Sequence, residues 1–272
     1  MKIKKIALVL SALLLTAGCS FDGPPKTGVL CGTSMIFSLV KDCGAGLENS
    51  LLIPSEACPG GYDLRPGDAE KIKNAAIFLI HPYQKDLAEK AAKINPRIKT
   101  VVITTPDLTI PENYFRGLQE TAGVLCAQFP PKSGEIISSM NTAMSAIRER
   151  VIDDSAYLMK LRSRKIKVLS CGIQAEAAKY MGFVPVYVFG DVEKLRPKDI
   201  SDAVAAGRKN SASFIISNLT GSQDASADAI NKGLKIKKIT LSDFPGITAA
   251  NTSLFLSLWE YNLSMIKAAA GN

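Results

Sequence analysis

Histidine is nearly absent from this sequence, because His81 is the only one among 272 residues. Zinc hydrolases place two histidines in one short motif, so a single histidine excludes these motifs. A Ser-His-Asp triad is excluded as well, unless His81 serves in it. Metal or acid–base chemistry that uses imidazole therefore has one residue available.

Other absences narrow the class of protein further. The six cysteines are dispersed and include no C-x-x-C pair, so their spacing alone does not define a metal site. After the N-terminus, no apolar stretch is long enough to span a bilayer, and no internal repeat is present. The basic residues are not clustered, and for an exported chain we expect no nucleic-acid partner.

The N-terminus has the layout of an export signal. Residues 1–5 are short and basic, residues 6–15 are apolar, and three small residues lead into Cys19. Small residues before a cysteine resemble the lipobox of bacterial lipoproteins, which predicts a signal over residues 1–18 and lipidation at Cys19. An ordinary signal peptide with an incidental cysteine is the alternative. Removal of three lysines with this signal lowers the formal charge from +8 to +5.

We expect residues 19–27 to be a tether, which would attach the protein to a membrane facing the periplasm or the cell exterior.

Beyond the tether, short apolar runs alternate with helical patterns, which predicts an α/β fold. Strands are predicted at 50–53, 76–80, 100–103, 123–125, 167–169, 184–189, 214–216 and 238–241. Residues 132–164 form a proline-free helical pattern that is long for a globular protein, so we expect it to link two units. The prediction is two parallel-sheet lobes, residues 28–131 and 165–272, joined by one long linking helix. A final helix over 249–270 places Trp259 and Leu263 on its buried face.

Three cysteines fall where a predicted strand gives way to a loop or a helix: Cys58, Cys126 and Cys171. Ligands bind at this edge in open α/β sheets, so the thiols are expected to share one cleft. With Cys31, which has the same local pattern, four thiols would suit a tetrahedral metal or a cubane cluster. We also expect the helix after Cys171 to stabilise its thiolate.

Three segments resemble the metal-binding solute receptors of zinc and manganese ABC importers. The run from Cys58 to Asp68, Cys-Pro-Gly-Gly-Tyr-Asp-Leu-Arg-Pro-Gly-Asp, is similar to that family's first ligand loop, Asp-Pro-His-x-Tyr-Glu-x-x-Pro-x-Asp. Residues 258–263 are similar to its final helix, and residues 32–40 to its opening strand and first helix. The resemblance spans residues 28–268. It implies a monomeric, non-enzymatic receptor that delivers a metal to an ABC permease.

The departures from the family pattern define the predicted site. The family's first histidine falls on Gly60, and cysteines fall at its other ligand positions, with Asp243 as the nearest match to its aspartate. With Cys31 and His81 added for their positions at predicted strand ends, the predicted metal ligands are Cys58, Cys126, Cys171, Cys31 and Asp243, and Gly60, Tyr62 and His81 are predicted to line the pocket. Thiolates favour zinc, copper(I) or an iron–sulfur cluster and disfavour manganese.

Several alternatives remain open from the sequence. The same scaffold is compatible with a thiol redox or iron–sulfur electron-transfer protein, and Gly60 leaves room for a receptor of a larger chelate such as a corrinoid. A disulfide, for example between Cys31 and Cys58, would remove thiols from the ligand set. Cys43 is expected to be a buried thiol. The simpler interpretation of His81 is a packed side chain, and that of Asp243 is a turn residue.

Overall fold

The computed structural model describes residues 28–44, 46–55, 57, 59–246 and 253–271. The predicted signal and tether, including Cys19, lie outside the described residues, and so does Cys58. Within the described part of the chain, no helix is long and apolar enough to cross a membrane.

The first lobe is a four-stranded parallel sheet with helices. Its strands have the order β2-β1-β3-β4, so the chain leaves β1 toward one side and returns through β3 on the other. The central strands are continuous apolar runs because both of their faces are covered. The strands are β1 Gly28–Cys31, β2 Asn49–Leu51, β3 Ala75–Ile80 and β4 Lys99–Val102. The helices are α1 Ser34–Cys43, α2 Pro66–Asn74, α3 Lys85–Ile94 and α4 Pro111–Gln128.

The strand predicted at residues 123–125 is wrong, because these residues belong to helix α4. The helix begins at Pro111, where the missing amide hydrogen costs nothing. Its buried side chains include Tyr114, Leu118 and Leu125, which recur at helical spacing. Three consecutive apolar residues fit a strand and a buried helix equally well. The helical spacing of apolar residues over the whole of α4 distinguishes the two.

The predicted linking helix is confirmed as α5, Ser133–Ser163. With a rise of 1.5 Å per residue, its 31 residues span roughly 46 Å, which is enough to pass along both lobes.

The second lobe repeats the architecture of the first. Its sheet is parallel with the order β6-β5-β7-β8. The strands are β5 Lys167–Cys171, β6 Val184–Phe189, β7 Phe214–Asn218 and β8 Lys237–Leu241. The helices are α6 Ala175–Met181, α7 Pro197–Lys209, α8 Gln223–Leu234 and α9 Leu254–Ala270. The two-lobe α/β fold predicted from the sequence is therefore confirmed.

Helix α9 ties the second lobe back to the first. Trp259 and Leu263 are buried, as predicted. Near the start of α9, Phe255 stacks on Tyr114 of α4 with ring centroids 4.1 Å apart. The Ser253 hydroxyl, just before α9, donates to Asp42 Oδ2 in α1 at 2.7 Å. One hydrophobic core consequently includes residues of both sheets, of α5 and of α9.

Candidate functional site at the facing sheet edges

The carboxyl ends of β1 and β3 form a crevice in the first lobe, because the strand order reverses between them. His81 follows β3, and its Nε2 lies 3.0 Å from Oγ1 of Thr33, which follows β1. The His81 amide donates to Gln84 Oε1 at 2.9 Å, which fixes the turn. Burial lowers the pKa of His81 to about 4. The imidazole is therefore neutral at physiological pH, the state in which it binds metals.

The turn that contains Gly60 lies beside the His81 turn. Residues 59–61 form a short 3₁₀ turn that packs next to the turn over residues 82–84. A β-carbon at Gly60 or Gly61 would meet no heavy atom within 4 Å, and neither residue has a positive φ. The conformation therefore does not require glycine here, and its effect is to leave space.

Tyr62 fixes the segment that follows this turn. Its hydroxyl donates to Asp68 Oδ2 at 2.7 Å, and the same oxygen accepts from the Arg65 amide at 2.8 Å. Burial, together with the Asp68 carboxylate, raises the pKa of Tyr62 to about 12. Beside this segment lies an open concavity of about 540 Å³, lined by Ala57 and residues 61–66.

The loop after β4 is held by one carboxylate. Glu120 of α4 accepts hydrogen bonds from the amides and the hydroxyls of Thr104 and Thr105, at 2.8 to 3.2 Å. Burial disfavours the charged form, but the four hydrogen bonds outweigh it and lower the pKa of Glu120. The loop is thus fixed at the edge of the sheet.

In the second lobe, Asp243 lies just after β8 at the carboxyl edge of the sheet. Its Oδ1 accepts from Asn218 Nδ2 and from the Thr220 hydroxyl, both at 2.9 Å. Burial raises the pKa of this carboxyl group. The two side-chain bonds both end on Oδ1, so Oδ2 takes no part in them. The turn itself is closed by Ser242, whose hydroxyl donates to the Phe244 carbonyl at 2.8 Å.

Asn218 connects Asp243 to the opposite side of the crevice between β5 and β7. Its Oδ1 accepts from Gln174 Nε2 at 2.7 Å, and Gln174 ends the turn that follows β5. Both residues are fully buried. A buried amide pair of this kind fixes the orientation of the carboxylate that it contacts.

The two lobes approach each other near the carboxyl edges of their sheets. The Tyr180 hydroxyl of α6 lies 3.3 Å from Glu112 Oε1 at the start of α4. Burial raises the pKa of Asp107, which follows β4, and so does the negative charge of Glu176 at the start of α6. We call the space between these edges the interlobe cleft.

The described cysteines do not gather at this cleft. Cys31, Cys43, Cys126 and Cys171 are free thiols, which contradicts the disulfide alternative for Cys31. Cys31 and Cys43 are fully buried in the core shared by both lobes, whereas Cys171 is buried in a separate core of the second lobe. Among the described residues, no group of three or more His, Cys, Asp or Glu side chains is arranged to hold a metal ion.

The expected stabilisation of a Cys171 thiolate is wrong. Cys171 ends β5 as predicted, and the Gln174 amide at the following helix start favours its thiolate. Burial outweighs this effect, and the charge of Asp243 adds to it, so the pKa of Cys171 is raised to about 12. Burial also raises the pKa values of Cys31 and Cys43 far above the ordinary thiol value.

Cys126 lies in the last turn of α4 and not at a strand end. Its Sγ is 3.8 Å from the carbonyl oxygen of Ser133, at the start of α5. The residue is half-buried and packs against the core that contains Cys43. Cys43, expected to be a buried thiol, donates to the Leu39 carbonyl oxygen.

Sequence reasoning missed the polar residues that support the site: Thr33, Gln84, Glu120, Asn218 and Thr220. A signal for two of them was present, because Thr33 and Asn218 stand at the end of apolar strands. Their partners are 48 and 25 residues away, so only the fold brings them together.

Together, these features define an α/β fold with two parallel-sheet lobes and one long linking helix. Solved structures share it. The Mn-bound periplasmic metal-binding protein from Candidatus Liberibacter asiaticus matches with a TM-score of 0.73 and 17% identity, over 89% of this chain and 98% of that one. Its Cd-bound form matches with the same TM-score and 18% identity over the same shares. The periplasmic zinc-binding protein TroA from Treponema pallidum matches with a TM-score of 0.71 and 16% identity, over 91% and 100%.

No protein-family model and no curated protein sequence matches the chain. At these identities, the structural likeness establishes the fold.

Proposed function

We propose that this chain is a solute-binding protein that captures a metal species in the interlobe cleft and presents it to an ABC permease. The observation that carries the proposal is the pair of polar groups on the facing edges, His81 with Thr33 and Asp243 with Asn218 and Thr220. The fold supports it, because proteins with this architecture include periplasmic metal-binding proteins in manganese-bound and cadmium-bound forms and a periplasmic zinc-binding protein.

A neutral imidazole and a carboxylate are ordinary zinc ligands, so we assign His81 and Asp243 as the first candidates. The predicted thiolate ligands rank behind them. Cys31 and Cys171 would have to leave apolar cores and lose a proton that burial holds firmly. Cys58 and Cys126 remain predicted ligands. Zinc is the proposed ion, since it accepts nitrogen, oxygen and sulfur ligands alike.

The proposal includes the exported location. The lipoprotein signal over residues 1–18 and lipid attachment at Cys19 stay predictions. For the cleft, we propose a binding role and not catalysis. Delivery to a permease is inferred from the family resemblance.

The test is zinc binding by residues 20–272, purified under reducing conditions and measured by calorimetry and native mass spectrometry. We expect one zinc ion per chain, and we expect Asp243→Asn to weaken binding by about ten-fold or more. Asparagine keeps an oxygen that accepts from Asn218 and Thr220, so the loop is retained. Asp202→Asn, an exposed residue of α7, is the matched control. Equal zinc affinity in wild type and Asp243→Asn would overturn the assignment of Asp243.

A further inference from the structure

The carboxyl edge of the second sheet carries a row of exposed apolar side chains. One large apolar residue follows each of three strands, with exposed fractions of 46% for Ile173 after β5, 37% for Val192 after β6 and 55% for Leu219 after β7. Phe244 follows β8 and is half-buried. We call Ile173, Val192 and Leu219 the apolar rim. A bare ion gains nothing from aliphatic side chains, whereas an organic body does.

The polar groups lie below this rim. Asn218, which precedes Leu219, is fully buried, and so is Gln174, which follows Ile173. A few fixed polar groups beneath apolar walls are typical of sites for small organic ligands.

The opposite edge offers a ring face and space. Tyr83 is 57% exposed and stacks nearly parallel to His81, with centroids 5.2 Å apart and an interplanar angle of 9°. Beside this pair lies the turn of Gly60 and Gly61, with nothing within 4 Å of a β-carbon at either position. The open concavity of about 540 Å³ at residues 61–66 adjoins that turn.

The charges near the cleft suit a cationic centre. Asp191 follows β6 and Asp243 follows β8 at the carboxyl edge of the second sheet, and Asp107 follows β4 at the carboxyl edge of the first sheet. A ligand that carries a metal ion within an organic body would match both the rim and these carboxylates.

We infer that the cleft takes its metal already enclosed in an apolar organic chelate, such as a metal macrocycle, with the apolar rim and Tyr83 holding the organic body. This inference rests on the proposed function and names the class of its ligand. His81 and Asp243 then need to supply only the remaining positions or hydrogen bonds of the bound metal.

The experiment compares zinc ion alone with two macrocyclic probes, zinc protoporphyrin IX and hydroxocobalamin, on the reduced protein. Fluorescence and absorbance titrations give the affinity for the macrocycles, and calorimetry gives that for the ion. We expect at least one macrocycle to bind more tightly than the ion. The double variant Ile173→Ser/Leu219→Ser should weaken macrocycle binding by about ten-fold or more, because it removes two aliphatic contacts.

Two further variants make the test specific. Ile152→Ser/Met159→Ser removes equally exposed apolar side chains from α5 and should leave macrocycle binding unchanged, which controls for nonspecific adsorption. Gly60→His fills the open space and should weaken macrocycle binding without weakening the affinity for zinc ion.

Each other outcome has a definite meaning. Zinc binding without binding of either macrocycle overturns the inference and leaves the proposed function standing. Macrocycle binding that the rim and Gly60 variants do not change also overturns it. Binding of neither the ion nor the macrocycles contradicts the proposed function itself.

Discussion

At the scale of single residues, Glu120 shows how one half-buried carboxylate fixes a loop at the cleft. Glu120→Gln replaces one acceptor oxygen by an amide nitrogen, so two of the four hydrogen bonds to Thr104 and Thr105 are lost. Each threonine bonds to a different oxygen, so we expect hydrogen exchange at the amide that loses its acceptor to become about ten-fold faster, which corresponds to roughly 1.4 kcal/mol. Exchange measured by NMR or mass spectrometry checks this.

Glu89→Gln, on the exposed surface of α3, is the control and should change nothing. Because the folded pKa of Glu120 is lowered from its ordinary 4.5, its stabilisation is present above that pH and is lost as the pH falls through the folded pKa. A loop that exchanges equally in both variants would contradict the role given to Glu120.

Thiol burial gives a second prediction at the same scale. Cys31, Cys43 and Cys171 are fully buried with raised pKa values, whereas Cys126 is half-buried. We expect iodoacetamide at pH 8 to modify Cys126 at least about ten times faster than these three, because alkylation requires an accessible thiolate. Peptide mapping of the reduced, folded protein measures each rate. Fast labelling of Cys171 would show that it reaches the cleft and would restore it as a ligand candidate.

At the scale of elements, one buried carboxylate of α5 accepts two hydrogen bonds from α9. Asp154 accepts from Trp259 Nε1 at 3.0 Å, from Arg150 Nε at 3.0 Å and from Lys267 Nζ at 3.2 Å. Burial disfavours its charge, but these three donors outweigh burial and lower its pKa. The carboxylate therefore joins the linking helix to the closing helix.

We expect Asp154→Asn to reduce the free energy of unfolding by about 2 kcal/mol, since both cations are partly solvated and keep some hydration. Urea unfolding monitored by circular dichroism measures this. Asp153→Asn, one residue earlier on the exposed side of α5, should cost less than about 0.5 kcal/mol. The Asp154 contribution is present at neutral pH and disappears in acid as the pH falls through its lowered folded pKa. Equal losses in the two variants would rule out the special role of Asp154.

Most elements were predictable from the sequence because each is encoded locally. The apolar run of β3 and the long proline-free pattern of α5 each determine one element regardless of the rest of the chain. The strand prediction at residues 123–125 was wrong because a run of three residues is too short to show either helical or strand periodicity. The site was less predictable, since the bonds from Thr33 to His81 and from Asn218 to Asp243 depend on the strand order. The cysteines were predicted ligands because of their positions at predicted strand ends, yet burial of a strand side chain depends on which face of the strand it occupies.

At the scale of the whole molecule, the two lobes share one core. The cluster that contains Val29 and Ile77 of the first sheet also contains Val168 and Ile239 of the second, and Phe255 with Tyr114 continues it across the lobes. Two independent domains would meet through a smaller and more polar interface. Opening of the cleft must therefore be small, because a wide hinge motion would separate buried apolar surfaces.

This shared core predicts that both lobes unfold in one cooperative transition. Trp259 of α9 is the only tryptophan, and it contacts Tyr180 of α6 and Asp154 of α5. Its fluorescence therefore reports the second lobe and the contact of that lobe with the linking helix. Hydrogen exchange at β1 and β3 reports the first lobe. In urea, the midpoints from the two probes should coincide within error.

Phe255→Ala should lower both midpoints together, by about 3–5 kcal/mol in the free energy of unfolding, because it removes a buried ring that bridges the lobes. A first lobe that opens at lower urea than Trp259 reports would show that the lobes are independent, and the restriction on opening of the cleft would then no longer follow.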